Sequence, residues 1–376
     1  MRIKTLRLYE NRQPFKFSFD SPQTRRRRAE AVILVLEFDN GVISFGESTP
    51  RDYVTGETCA SVIAAIGHFF APILLGARIA NRQDVVKVLN RLPACCPRLS
   101  PSALGAVDLA LWDGLARMFR QPVFYLFSDS PRPLPPYSIS IPYLPLSTIQ
   151  DLYQRFQSLA IERVKVLLTG DRKQDLERIR FIRDLVGKKT VVSLEANGKL
   201  DLFDVMAVLE RLGPGEVRDI EQPAARTDIE GLRSIRRRFG LPVVVDESLC
   251  SLSDAQYLVD AGACDILNVK ISKCGGLLRA REIIAWAASR NICCHLGSHI
   301  GETEILSNAA QHLALSTENL SWMEIGSFIL TNGIESQAAA ELHKRQSSPM
   351  VGLGVFFDSR MLARRFGPAI AEFSAL

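Results

Sequence analysis

No stretch of this 376-residue chain approaches the ~18 consecutive apolar residues that a membrane-spanning helix needs. The start, MRIKTLRLYE, alternates like a strand and has no apolar core of the kind a secretory signal carries. Eight cysteines are scattered at 59, 95, 96, 250, 264, 274, 293 and 294, with no zinc-site spacing. Thiols so placed fit a reduced compartment, and a cytoplasmic protein is expected. The formal charge of +5 is small for the length. Much of it lies in one run, Arg25 to Arg28, without the wide basic stripe and interleaved aromatics of a nucleic-acid surface. Neither a membrane nor a nucleic-acid partner is therefore expected. The run reads as a solvated loop or as a cap over an anionic substrate.

What is present is apolar residue in quantity, nearly half of the chain, enough for a large core. From about residue 135 short β-rich runs alternate with helical ones. Candidate strands are Tyr137–Ile141, Arg163–Leu168, Thr190–Glu195, Val217–Glu221, Pro242–Asp246, Asp265–Lys270, Ile292–Leu296 and Ser321–Ile325. Between them lie amphipathic stretches such as DLERIRFIRDLVG and LLRAREIIAWAASR. Eight strands with seven helices predict a (β/α)8 barrel over about 126–329. Residues 1–125 hold strands (VILVLEF) and then a helix (Ser102 to Phe119), an α+β capping domain. The tail from 330, with VGLGVFF, is expected to pack back on that cap.

Ionisable residues mark successive strand ends: Lys165 in strand two, Glu195 on three, Glu221 on four, Asp246 on five and Lys270 on six. Barrel enzymes work at this C-terminal rim. Three buried acids side by side repel one another unless a cation joins them, and hard carboxylate oxygens suit Mg²⁺, with Mn²⁺ as a substitute. The flanking lysines can serve as bases if burial or nearby positive charge, from the metal and from Arg163 or Lys273, lowers their pKa. A metal-bound carboxylate acidifies its α-proton by stabilising the enediolate. The substrate expected is a small anionic carboxylate.

Several segments then match a known pattern: GESTPRDYVTGET (46–58), LGAVDLALWDGLARMFRQPV (104–123), IEQP (220–223), DES (246–248) and NVKISKCGG (268–276). The chain resembles the enolase superfamily, in particular its muconate lactonizing enzyme subgroup, over nearly its whole length. Two departures stand out. Strand three reads Glu195-Ala196-Asn197 where the family has Asp-x-Asn. Strand two reads Arg163-Val164-Lys165 where the subgroup has Lys-x-Lys. Lys165 is taken as the second, catalytic lysine, while a shifted alignment would make it the auxiliary one and put Leu167 in the catalytic place.

The resemblance implies metal ligands Glu195, Glu221 and Asp246, bases Lys165 and Lys270, and substrate contacts among Arg163, Asn197, Lys273, Ser298, His299 and Glu324. Ser298 and Glu302, in GSHIGET, match a rim segment of the subgroup, and His295 reads as a packed strand residue. The implied reactions are racemisation, epimerisation or cycloisomerisation of a small carboxylic acid or amino-acid derivative. The alternatives are an o-succinylbenzoate synthase-type elimination and an inactive relative that only binds. Strand eight offers Glu324 without the Asp-x-Asp that dipeptide epimerases often use, which weighs against that class. Specificity is expected in cap loops at about 17–28 and 48–56. A homo-oligomer is expected.

Overall fold

The computed structural model describes residues 1–21, 24–156, 161–324, 326 and 351–375. The expected strand residue Ile325, tail positions 330–350 and positions 22 and 23 of the first cap loop lie outside them.

The N-terminal part opens with β1 (Ile3–Asn11), the hairpin β2 (Pro14–Asp20) and β3 (Arg25–Arg28), then β4 (Ala31–Phe38) and β5 (Ile43–Ser48). β1, β4 and β5 form an antiparallel sheet with one long helix, Pro101–Met118, packed on β5. The approach is close. A Cβ at Gly46 would stand 1.9 Å from the Ala106 carbonyl oxygen, so only glycine fits there.

The barrel follows: β6 (Tyr137–Ile141), β7 (Arg163–Leu167), β8 (Val191–Glu195), β9 (Ile220–Glu221), β10 (Val243–Val245), β11 (Ile266–Val269), β12 (Cys293–Leu296) and β13 (Leu320–Glu324). All eight pair in parallel and in chain order, and β13 closes on β6. The expected strands are recovered, most of them trimmed at their ends. The strongest trimming is in β9, where two residues still pair with β8 and β10. The tail's last strand, β14 (Ala371–Ser374), pairs antiparallel with β1 and completes the cap sheet.

Two buried acids of the cap fasten it to the barrel by capping barrel helices. Glu47 accepts from the Thr303 and Leu306 amides and the Thr303 hydroxyl, at the start of helix Glu304–Leu315. Asp108 accepts from the Leu277 and Leu278 amides, at the start of helix Leu277–Ser289. Free amides at a helix start favour a negative partner. Burial dominates both carboxyls and pushes each up to about 7.

The arginine run differs from its reading as a loop. Arg25–Arg28 is a strand, in register with Phe19 and Asp20 of β2. Alternation along it turns Arg26 inward, where it pairs with Glu30, and turns Arg25 and Arg27 outward, while Arg28, on the Arg26 face at the strand's end, is exposed as well.

Among the described residues no helix is long and apolar enough to cross a membrane.

Candidate active site

A small cavity of about 60 Å³ lies at the C-terminal mouth of the barrel, beneath the cap. Lys165, Glu195, Asn197, Asp246, Lys270, Ser298, His299 and Glu324 line it, together with Arg26, Arg51 and Tyr53 from the cap. Glu221 sits behind this lining, fully buried.

The three acids come together. One oxygen from each of Glu195, Glu221 and Asp246 lies within 4.8 Å of the others, so the triad can hold a metal ion. Each carboxylate is held at one oxygen by an outer donor. Asn197 Nδ2 donates to Glu195 Oε1 at 2.7 Å, Asn268 Nδ2 to Glu221 Oε1 at 2.7 Å, and Lys273 Nζ to Asp246 Oδ1 at 2.6 Å. The second oxygen of each meets one of the two rim lysines. Lys165 Nζ is 3.0 Å from Glu195 Oε2 and 2.8 Å from Glu221 Oε2, and Lys270 Nζ is 2.7 Å from Asp246 Oδ2. Pinned outer oxygens and cation-facing inner ones are what a hard divalent ion requires of its donors.

The electrostatics follow from this packing. Burial disfavours the ammonium form of Lys165, but Glu195, Glu221 and Glu324 outweigh it and hold its pKa well above the ordinary lysine value. Lys270 is raised in the same way, burial being overridden chiefly by Asp246. Asp246 is held far below the carboxylate range: burial opposes this, but Lys270 and Lys273 prevail. Burial pushes Glu195 up to about 8 against the pull of Lys165.

Two expected substrate contacts are corrected. Arg163 does not line the cavity. It starts β7, one inward layer deeper than Lys165, and its guanidinium is committed to Asp219 Oδ1 at 2.8 Å and Ser193 Oγ at 2.9 Å. Lys273 is buried beneath the floor as the outer donor to Asp246. Their charges still bear on the site, but neither lines the cavity. Ser298, His299 and Glu324 are in the wall. His299 Nδ1 lies 3.0 Å from Thr49 Oγ1, and burial, then Arg51, keeps its pKa far below the ordinary histidine value, so it is neutral near pH 7. Glu302 stands behind it and accepts from the His299 amide. His295 lies buried within β12 and is not part of the lining.

Sequence reading missed Asn268, Glu247, Arg51 and Tyr53. Asn268 is two residues before Lys270 on the same inward face, a period-two signal that was available. Glu247 adjoins Asp246, lines the cavity and receives Asn197 Nδ2 at 3.3 Å. Arg51 and Tyr53 fall in the 48–56 loop but carry no local sign of their role.

Family models match both parts of the chain. Residues 2–127 match the mandelate racemase/muconate lactonizing enzyme N-terminal domain, and residues 149–358 match the enolase C-terminal domain-like model. The chain belongs to the enolase superfamily, in its mandelate racemase/muconate lactonizing branch. It is 30% identical to an L-Ala-D/L-Glu epimerase of Bacillus subtilis, over 85% of this chain and 86% of that one. It is 25% identical to a hydrophobic dipeptide epimerase of Enterococcus faecalis, over 94% and 98%. A dipeptide epimerase from Enterococcus faecalis, solved with Mg and the dipeptide L-Leu-L-Tyr, superposes with a TM-score of 0.81, at 25% identity, covering 89% of this chain and 93% of that one. An N-succinyl Arg/Lys racemase from Bacillus cereus superposes with a TM-score of 0.86 at 24% identity, over 99% of both chains, a likeness of fold. The chain is an enzyme of the isomerase type that these relatives share. The relatives include dipeptide epimerases, although strand eight here ends in Glu324 with Gly326 two residues on.

Proposed function

We propose that this protein is a Mg²⁺-dependent racemase or epimerase acting at the α-carbon of an amino-acid derivative with a free carboxylate. The observation that carries the reading is the placement of two lysines around one acid triad. β7 and β11 are four strands apart in a ring of eight, so Lys165 and Lys270 approach the mouth from opposite sides.

Mg²⁺ held by Glu195, Glu221 and Asp246 would supply positive charge to the substrate carboxylate as the α-proton leaves. The chain's own residues do the rest. With the charge of Glu195 and Glu221, which raises its pKa, offset by a cation at the triad, Lys165 Nζ acts as the free amine and takes the proton from one face of the α-carbon. The Lys270 ammonium delivers a proton to the opposite face, and the two exchange roles for the other enantiomer. Asn197, Asn268 and Lys273 keep the acids from turning away. His299, neutral and anchored by Thr49, and Ser298 border the substrate's remaining polar groups. Arg26 and Arg51 give the cap side of the cavity a positive lining that suits an anionic substrate. The cap residues at 26, 51 and 53 stand where the variable part of the substrate would lie.

The test is α-proton exchange in D₂O with Mg²⁺, run over a panel of dipeptides and N-acylamino acids of both configurations and followed by NMR and polarimetry. Exchange with inversion of at least one member is expected. Absence of exchange across the panel in protein that binds Mg²⁺ overturns the reading in favour of an inactive binding relative. Exchange without inversion, leading to elimination, favours the lyase alternative.

A further inference from the structure

Lys165 stands between two sets of acids. On one side are Glu195 of β8 and Glu221 of β9. On the other, across β6, is Glu324 at the end of β13, whose Oε1 lies 2.7 Å from Lys165 Nζ. Glu324 can reach across because the β6 residue in register with Lys165 is Ser140, too short to block the gap. Its orientation is fixed at the far oxygen, Oε2, which accepts from the Ser298 amide at 3.4 Å. Glu324 is thus built like the three triad acids, with one oxygen held from outside and the other turned to a lysine.

Lys165 occupies Glu195 Oε2 and Glu221 Oε2, the two oxygens that Asn197 and Asn268 leave free for a divalent cation. Two cations cannot share them without strong repulsion at such distances. Among the described residues, Glu324 is the one carboxylate ion-paired with Lys165 that lies outside the triad, and it stands on the cavity wall. We infer that Glu324 is the seat of Lys165: when a divalent ion takes the triad, Lys165 leaves Glu195 and Glu221 but stays paired with Glu324, beside the substrate. This rests on the metal reading proposed above. It makes Glu324 a positioning residue for the strand-two base in place of the substrate contact expected from the sequence.

The test is Mn²⁺ and Mg²⁺ titration by calorimetry of wild type, Glu324→Gln, Lys165→Met and the double variant, with unfolding midpoints checked for each. Without its seat, Lys165 remains in the triad and competes with the ion. Glu324→Gln should therefore weaken divalent binding about tenfold, the low end for a residue that orients a metal site. In the Lys165→Met background the same change should have no effect, because the competitor is gone. Glu324→Asp should recover part of the loss. α-Proton exchange in Glu324→Gln should fall more for one enantiomer than for the other. Unchanged affinity in Glu324→Gln, or an equal loss with and without Lys165, overturns the inference and leaves the metal reading standing. Wild-type protein that binds no divalent ion overturns both.

Discussion

Lys165 and Lys270 face each other across the barrel mouth, each ion-paired at 2.7–3.0 Å to acids of one triad. Their opposition follows from ring order alone, since their strands are diametrically placed. If each serves one face of the α-carbon, substitutions should split by enantiomer. Lys270→Ala should abolish exchange from one enantiomer more than from the other, and Lys165→Ala should do the reverse. Each should cost at least about 10²-fold in turnover. Stopped-assay NMR with pure enantiomers reads this directly. A fully active Lys165→Ala protein would remove Lys165 from the mechanism.

The outer donors make a second prediction. Asn268→Leu frees Glu221 Oε1 and leaves the carboxylate able to rotate. Divalent-ion affinity should fall by about 10–100-fold, as for other residues that orient metal ligands. Asn197→Ala should do the same through Glu195. Calorimetric titration with Mn²⁺ checks both, and affinity equal to wild type would show that the outer oxygens need no anchor.

Within the arginine run the structure separates one residue from three. Arg26 lines the cavity, while Arg25, Arg27 and Arg28 are exposed. Arg26→Ser should raise KM at all ionic strengths, and most at low salt, where charge attraction is least screened. Arg27→Ser should change KM only at low salt. Equal effects from the two variants would mean that only the net charge of the hairpin matters.

The cap–barrel clamp carries a pH signature. Glu47 is raised from 4.5 to about 7, first by burial, against the pull of the Thr303 and Leu306 donors. In the folded protein it therefore binds more protons than in the unfolded chain between those values. Its contribution to stability is complete below pH ~4.5 and is lost as pH rises through about 7, by an amount on the order of 3 kcal/mol. Chemical denaturation at pH 5, 6, 7 and 8 should show wild-type stability falling relative to Glu47→Gln over that window. Parallel curves would place the Glu47 pKa at its ordinary value.

The sequence by itself determined the barrel and its reactive rim. Eight β-rich runs alternated with helices, and the acids at 195, 221 and 246 fell at the ends of successive runs. A strand's period of two fixes which side chains point inward, and parallel strands joined by helices all deliver their ends to one rim. That is why the triad and Lys270 were legible without coordinates. Depth and neighbours were not. Arg163 and Lys165 share one inward face, so period could not say that Arg163 lies a layer below and is spent on Asp219. Glu324 meets Lys165 only because the ring closes β13 onto β6, a contact made by the chain's return and absent from any local pattern. The arginine run read as a loop because charge obscures strand propensity. Pairing with β2 made it a strand, alternation set Arg26 and Arg28 on the inward face, and only Arg26 lies over the cavity. Local pattern sets the face a residue presents, and closure of the barrel beneath its cap sets what that face meets.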